Sequence, residues 1–223
     1  PIHLEDMDFA EQTCTVALIF IMFYGGFGTR WESAGRVAVE SGLLASVGVI
    51  LTSGMVGVFC HYALRWEWMD GLLLGSLIAS TDAASVFSIL RSRKLGLKNN
   101  TASLLEVESG SNDPFAYMLT MVMLSLRSGT ASGGGVVLML VGQILLGVLG
   151  GWLIAIVAVH IFKQMHSRAT AYGSLFVLAI AILSYALPSF LGGNGYLSAY
   201  LAGIIMGNAD LKDKKNLVAF FDG

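Results

Sequence analysis

Between Leu104 and Leu126 the chain reads LLEVESGSNDPFAYMLTMVMLSL, a run apolar enough to cross a membrane that nonetheless carries Glu106, Glu108 and Asp113. The run before it, GSLIASTDAASVFSIL at 75–90, gathers Ser80, Thr81, Asp82 and Ser85 near its middle. Neither run holds a Lys or Arg. An ionised Asp near the centre of a spanning helix costs about 2.5–3.5 kcal/mol on the insertion scale, so these four acids together would oppose insertion by roughly 10 kcal/mol. They must be protonated, hydrated, paired with groups outside these helices, or bound to a cation.

Spacing narrows the chemistry. At helical pitch Glu106, Ser109 or Gly110, and Asp113 share one face, and Glu108 and Asn112 share a neighbouring one. The Ser109 hydroxyl and the Asn112 amide therefore lie beside Asp113, and Pro114 lacks the amide that would engage the Gly110 carbonyl. Oxygen donors without thiols or a histidine pair suit a hard monovalent or divalent cation, not zinc. In the preceding run, short polar side chains compete for backbone hydrogen bonds. A cluster of them at mid-membrane predicts an unwound stretch near Thr81 and Asp82 that lines a polar cavity, as in the interrupted helices of transporters. The connection over 91–100 is short, so the two segments are neighbours and their acids can face one site. A lone Asp or Ser in a span is commonly a packing residue, but four carboxylates of one sign in adjacent helices do not fit that explanation.

The elements that position these residues follow from composition. Hydrophobic residues make up 55% of the 223, charged residues only 13%, and the mean hydropathy is +0.72. Such an excess requires lipid as a second apolar phase. Windows of about 20 residues mark seven spans, near 13–28, 42–64, 68–90, 101–127, 135–161, 171–190 and 195–209. The predicted fold class is an all-α polytopic membrane protein, because these runs are too long and too uniformly apolar for barrel strands. Pro188 and the following GGNG weaken the sixth span.

Every Lys and Arg except Arg65 and Arg127 falls in the loops after spans one, three, five and seven: Arg30 and Arg36, then Arg91, Arg93, Lys94 and Lys98, then Lys163 and Arg168, then Lys212, Lys214 and Lys215. The positive-inside rule then places the start of the chain outside and its end in the cytoplasm. The acidic leader PIHLEDMDFAEQ agrees and lacks the basic start of a signal peptide. A start at Pro1 and an end at FFDG read as an excerpt of a longer chain. The net charge of −2 names no polyanionic partner, so no nucleic acid is expected. Cys14 and Cys60 are too few for a disulfide framework and read as small buried hydrophobes, although one bridge is possible. Gly71 and Gly75, Gly147 and Gly151, and Gly203 and Gly207 form small-xxx-small pairs that predict close helix packing within the chain more than a dimer seam.

STDAASVF followed by EVESGSNDP resembles the NhaP-type antiporters, which exchange sodium or potassium for protons, and especially the potassium/proton branch linked to cell-volume regulation. YGGFGT after the first span and YLAGIIMGN in the seventh extend the resemblance nearly end to end. It implies that Asp113 alternately holds a proton and a cation, with Asn112 before it. It also implies Glu108 and Ser109 as further ligands, and Thr81 and Asp82 as residues of the interrupted helix; the cation's oxygens would come from Asp113, Glu108, Ser109 and Thr81. Many relatives carry an acid in the first span where this chain has Tyr24. The resemblance further implies about twelve or thirteen spans in two inverted repeats, of which this chain would be the third to ninth. On that scheme 1–12 is an external segment, and 13–28 and 135–209 belong to a dimer or scaffold part. Residues 42–127 are three helices of the ion-translocating core, and 210–223 are a cytoplasmic loop leading into the next helix. A homodimer in the plasma (inner) membrane, surrounded by lipid, and a cytoplasmic regulatory domain outside the chain are implied as well.

The expected activity is secondary antiport of K⁺ or Na⁺ against H⁺, with no cofactor and no enzymatic step. Proton and cation compete for one carboxylate, and alternating access makes the exchange obligatory. Asn112 cannot carry a second proton, and the resemblance ties an Asn-Asp pair to electroneutral exchange. Two other classes stand beside this. A cation channel would use the acids as a selective ring without proton coupling. An intramembrane aspartyl protease would need Asp82 and Asp113 to share a proton, with a glycine beside one of them, where SNDPF offers Asn and Pro.

Overall fold

The computed structural model describes residues 7–82, 86, 89–90, 93, 97–98, 100–130, 133–164 and 169–210, with only the backbone of 133 and 169–172. Ser85, Arg91, Lys94, Arg168, Lys212, Lys214 and Lys215, with residues 1–6 and 211–223, lie outside the described residues. The elements in chain order are α1 (Met7–Gly28), α2 (Trp31–Leu43), a π turn (Leu44–Gly48), α3 (Val49–Leu64), α4 (Trp68–Ile78), α5 (Thr101–Arg127), α6 (Gly133–Gln164), α7 (Ala169–Phe190) and α8 (Gly195–Asn208). All regular secondary structure among the described residues is helical, with no strand. Four helices among them are long and apolar enough to cross a membrane: Met7–Gly28, Trp31–Leu64, Gly134–Gln164 and Gly173–Phe190.

Two boundaries differ from the hydropathy reading. Helix α1 begins at Met7, so residues 7–12 are helical; Asp8 sits in the first turn, where a carboxylate favours the helix dipole. The second span is the end of one continuous helix that starts at Trp31, and it turns amphipathic before the membrane, with Ala34, Val37 and Ser41 buried and Arg36 exposed. Hydropathy windows detect apolar length, and a helix can outrun it wherever one face still packs. Within that helix Ser46 donates to the Gly42 carbonyl at 2.7 Å beside the π turn; such single π turns recur at functional sites.

The chain divides into two compact units, residues up to Thr29 with those from Ile144 onward, and residues Arg30–Gln143. In the first unit α8 packs along α1 and α7. Phe23, Ala199, Ala202 and Met206 are fully buried in its core. Lipid tails are as apolar as these side chains, so close van der Waals approach must hold the helices together. A Cβ at Gly203 or Gly207 would run into the carbonyl oxygens of Phe23 or Phe27, and one at Gly147 would meet the Asn194 oxygen at 2.7 Å. Helix α7 continues through Pro188 and ends where Gly192, at φ +83°, turns the chain; the Gly193 amide then returns to the Pro188 carbonyl at 2.7 Å. Asn194 caps α8 by accepting from the Leu197 amide at 3.0 Å.

In the second unit α3 and α4 meet at Gly71 and Gly75, where a Cβ would come within 3.0 Å of the Gly57 oxygen and 2.5 Å of the Ser53 oxygen. Ser53 also donates to the Leu72 carbonyl at 3.0 Å. All three glycine pairs thus serve packing inside this chain. Both cysteines are free: Cys60 is buried against Gly71, whereas Cys14 is exposed, which corrects the reading of both as buried hydrophobes. Cys14 falls on the open face of α1, which hydropathy alone does not orient. At the α3–α4 turn Trp66, Trp68 and Tyr62 are exposed and the His61 ring stacks on Trp68, as in the aromatic belt of a membrane–water interface.

Candidate ion-exchange site

Helix α4 stops at Ile78, and Ala79, Ser80, Thr81 and Asp82 are not helical; Val86, Ile89 and Leu90 are helical again. The break falls where the polar run predicts it. Across from it lies the middle of α5, which stays helical past Pro114. All the groups of the site belong to the second unit.

Thr81 is the hub. Its hydroxyl donates to the Glu108 carboxylate, at 3.3 Å from Oε1 and 3.2 Å from Oε2, and accepts from Asn112 Nδ2. Asn112 Nδ2 also donates to Glu108 Oε1 at 3.1 Å, the i,i+4 pairing within α5. The carbonyl of Thr81, released from helical bonding by the break, accepts from Ser109 Oγ at 2.9 Å. One residue earlier, Ser80 Oγ donates to Asp113 Oδ1. Asp113 and Glu108 are half-buried, Asn112 is fully buried, and Thr81 and Asp82 are exposed.

The structure therefore brings together Thr81, Glu108, Ser109 and Asn112 in one hydrogen-bonded cluster, with Asp113 beside it on Ser80. Asp82 stands within electrostatic reach of Asp113, as does Glu108. Glu106 is exposed on α5. Tyr24 belongs to α1 in the other unit. Among the described residues, hydroxyls and an amide hold Asp113 and Glu108, and no Lys or Arg does. The Asn112 Oδ1 atom is buried and accepts no hydrogen bond there.

Beside the hub is a cavity of about 280 Å³, lined by Leu44, Gly48 and Thr52 on one side and Thr81, Leu105 and Glu108 on the other. Spacing within the two motif-bearing spans does not reveal the role of Ser80 or the α2–α3 wall of this cavity. For Ser80 the signal is present, since it opens the polar run STD; for Thr52 and the π turn nothing in the motif points to them. Chemically, the arrangement presents carboxylate, hydroxyl and carbonyl oxygens around an unwound stretch, a donor set for a hard cation, with a carboxylate that can take a proton in its place.

A family model described as "Sodium/hydrogen exchanger, transmembrane" matches residues 2–222. The chain is 35% identical over 210 residues to the K(+)/H(+) antiporter NhaP of Alkalimonas amylolytica, covering 94% of this chain and 36% of that protein. It is 35% identical over 232 residues to the K(+)/H(+) antiporter NhaP2 of Shewanella oneidensis, covering 100% of this chain and 39% of the relative. Its fold matches the structure of the sodium proton antiporter MjNhaP1 from Methanocaldococcus jannaschii at pH 8, with a TM-score of 0.80 and 26% identity, over 97% of this chain and 54% of that one. The chain thus spans well under half the length of the two potassium/proton relatives and about half of the solved one.

Proposed function

Since the chain belongs to the sodium/hydrogen exchanger family, we propose that it forms the ion-holding part of a secondary antiporter that exchanges K⁺ or Na⁺ for H⁺, the two competing for Asp113. The observation that carries this reading is the meeting of an interrupted α4 with the carboxylates of α5 through hydroxyl and amide donors, with no Lys or Arg on them among the described residues. Carboxylates held this way are open to neutralisation by a proton or a cation from solution.

The roles follow from the bonds. Asp113 has one fixed donor, Ser80, and keeps lone pairs for a cation or a proton. Glu108 is held by two donors, Thr81 and Asn112, and so shapes the site. Asn112 spends its amide hydrogens on Thr81 and Glu108, which leaves Oδ1 as a neutral oxygen for the transported ion. Ser109, Thr81 and Asp82 supply further oxygens around the break. Asn112 carries no ionisable proton, and in line with the family's Asn-Asp pairing we read the exchange as one proton for one cation, without net charge.

The protein is a multi-pass membrane protein of the exchanger family. The basic residues favour the α3–α4 turn outside, and the family resemblance favours the plasma (inner) membrane and a homodimer built on the 13–28 and 135–209 segments, while 42–127 carry the ions. Proteoliposomes of the intact protein with a pH-reporting dye test the reading. Adding K⁺, Na⁺ or Li⁺ should release protons from the wild type, and Asp113→Asn should abolish that release. Exchange at the normal rate in Asp113→Asn removes the assignment, and cation flux without proton movement would favour a channel.

A further inference from the structure

The seam between α4 and α5 carries polar contacts at regular intervals from its outer end to the site. Arg127 in the last turn of α5 pairs with Asp70 in the first turn of α4. Deeper in, the Thr120 hydroxyl shares its one hydrogen between Ser76 Oγ at 3.0 Å and the Ala116 carbonyl at 2.9 Å, and Ser76 passes its own hydrogen to the Leu73 carbonyl at 2.8 Å. Then come Ser80 on Asp113 and Ser109 on Thr81. Ser76 is fully buried.

The spacing of these rungs is informative. Asp70 to Ser76 and Thr120 to Arg127 are six and seven residues of helix, about 9 and 10 Å of rise, so the first two rungs fit two regular antiparallel helices. From Ser76 to Ser80 is four residues, about 6 Å if helical, against about 10 Å for the seven residues from Asp113 to Thr120. The regular helix ends at Ile78: Ala79 keeps right-handed backbone angles (φ −76°, ψ −15°), and the non-helical stretch that follows brings Ser80 to Asp113. A slip of one helical turn at the outer rungs would move Asp113 past Ser80 by about 5.4 Å. The outer contacts and the break therefore jointly set which hydroxyl meets which carboxylate.

We propose that the Asp70–Arg127 ion pair and the Thr120–Ser76 hydrogen bond hold α4 and α5 in a single register throughout transport, making these four residues positioning residues for the ions. This rests on the reading of Asp113 as the exchange site. Asp70 and Arg127 also each sit at the favourable pole of their helix dipole, a contribution that neutral variants lose together with the pair. In proteoliposomes of the intact protein, Asp70→Asn and Arg127→Gln should each raise the cation KM about threefold, the loss of one exposed ion pair, with the maximal rate kept and the double variant no worse than either single one.

The decisive experiment joins Ser76→Cys with Thr120→Cys in a background of Cys14→Ser and Cys60→Ala. After oxidation the pair should cross-link, and dye-reported exchange on adding K⁺ or Na⁺ should continue at half the reduced rate or better. If oxidation halts exchange and reduction restores it, α4 slides along α5 and the proposal falls; it falls too if the pair does not cross-link, or if the ion-pair variants add. Asp113→Asn in parallel vesicles keeps the two ideas apart: its retained exchange would remove the site reading, while the cross-link would still decide the register.

Discussion

At the scale of single residues, the site separates acids that looked equivalent. Glu106, Glu108 and Asp113 all interrupt one apolar run, yet Glu108 is bound by two donors, Asp113 by Ser80, and Glu106 faces outward. Helical spacing made the Glu108–Asn112 pairing legible, because i and i+4 meet on any α-helix. It did not reveal Ser80 as the donor to Asp113, since that contact joins residues 33 positions apart. Ser80→Ala removes a hydrogen bond to a charged group from the cation-loaded site, worth about 1.5–3 kcal/mol. The cation KM should rise at least tenfold while Asp113 still exchanges, as measured by dye-reported proton release across a cation titration; an unchanged KM would detach Ser80 from the site.

At the scale of elements, the interruption of α4 was legible because Ser, Thr and Asp offer the backbone alternative hydrogen bonds wherever they cluster. The π turn was not, for nothing in the mostly apolar stretch Leu44–Gly48 marks a change of hydrogen-bond register. The glycine pairs announced close packing but not their partners. Gly203→Val should destabilise the protein by at least about 1–3 kcal/mol, because its Cβ meets backbone at Phe23 that no rotamer change can clear. Gly25→Ala on α1, where nothing lies within 4 Å, serves as the control and should not lower the thermal unfolding temperature in detergent. Equal melting temperatures for the two variants would mean that α1 and α8 are not in contact as described.

At the scale of the whole molecule, the consequences concern charge movement and orientation. On the proposal that Asp113 is the one exchanging carboxylate, with Asn112 neutral beside it, clamping the membrane potential of proteoliposomes at different values should not alter the exchange rate. Turnover-dependent current on a supported membrane would contradict one-for-one exchange. Orientation has its own check. A cysteine placed at Arg65, in the aromatic α3–α4 turn, should react with a membrane-impermeant thiol reagent added outside intact cells, and one at Arg36 should not, in a background lacking Cys14.

Some of this protein was settled by local properties of the chain. Spans, acids, polar break and the bias of Lys and Arg toward alternate loops depend on hydrophobicity and hydrogen-bonding capacity over a few tens of residues, which sequence carries directly. Which oxygen faces which proton depended on tertiary structure. Ser80 on Asp113, Thr81 between Glu108 and Asn112, and Thr120 on Ser76 join residues 27 to 44 apart. Such contacts exist only at one register of two helices, and a shift of a single turn, about 5.4 Å, would exchange every partner without changing any residue's propensity.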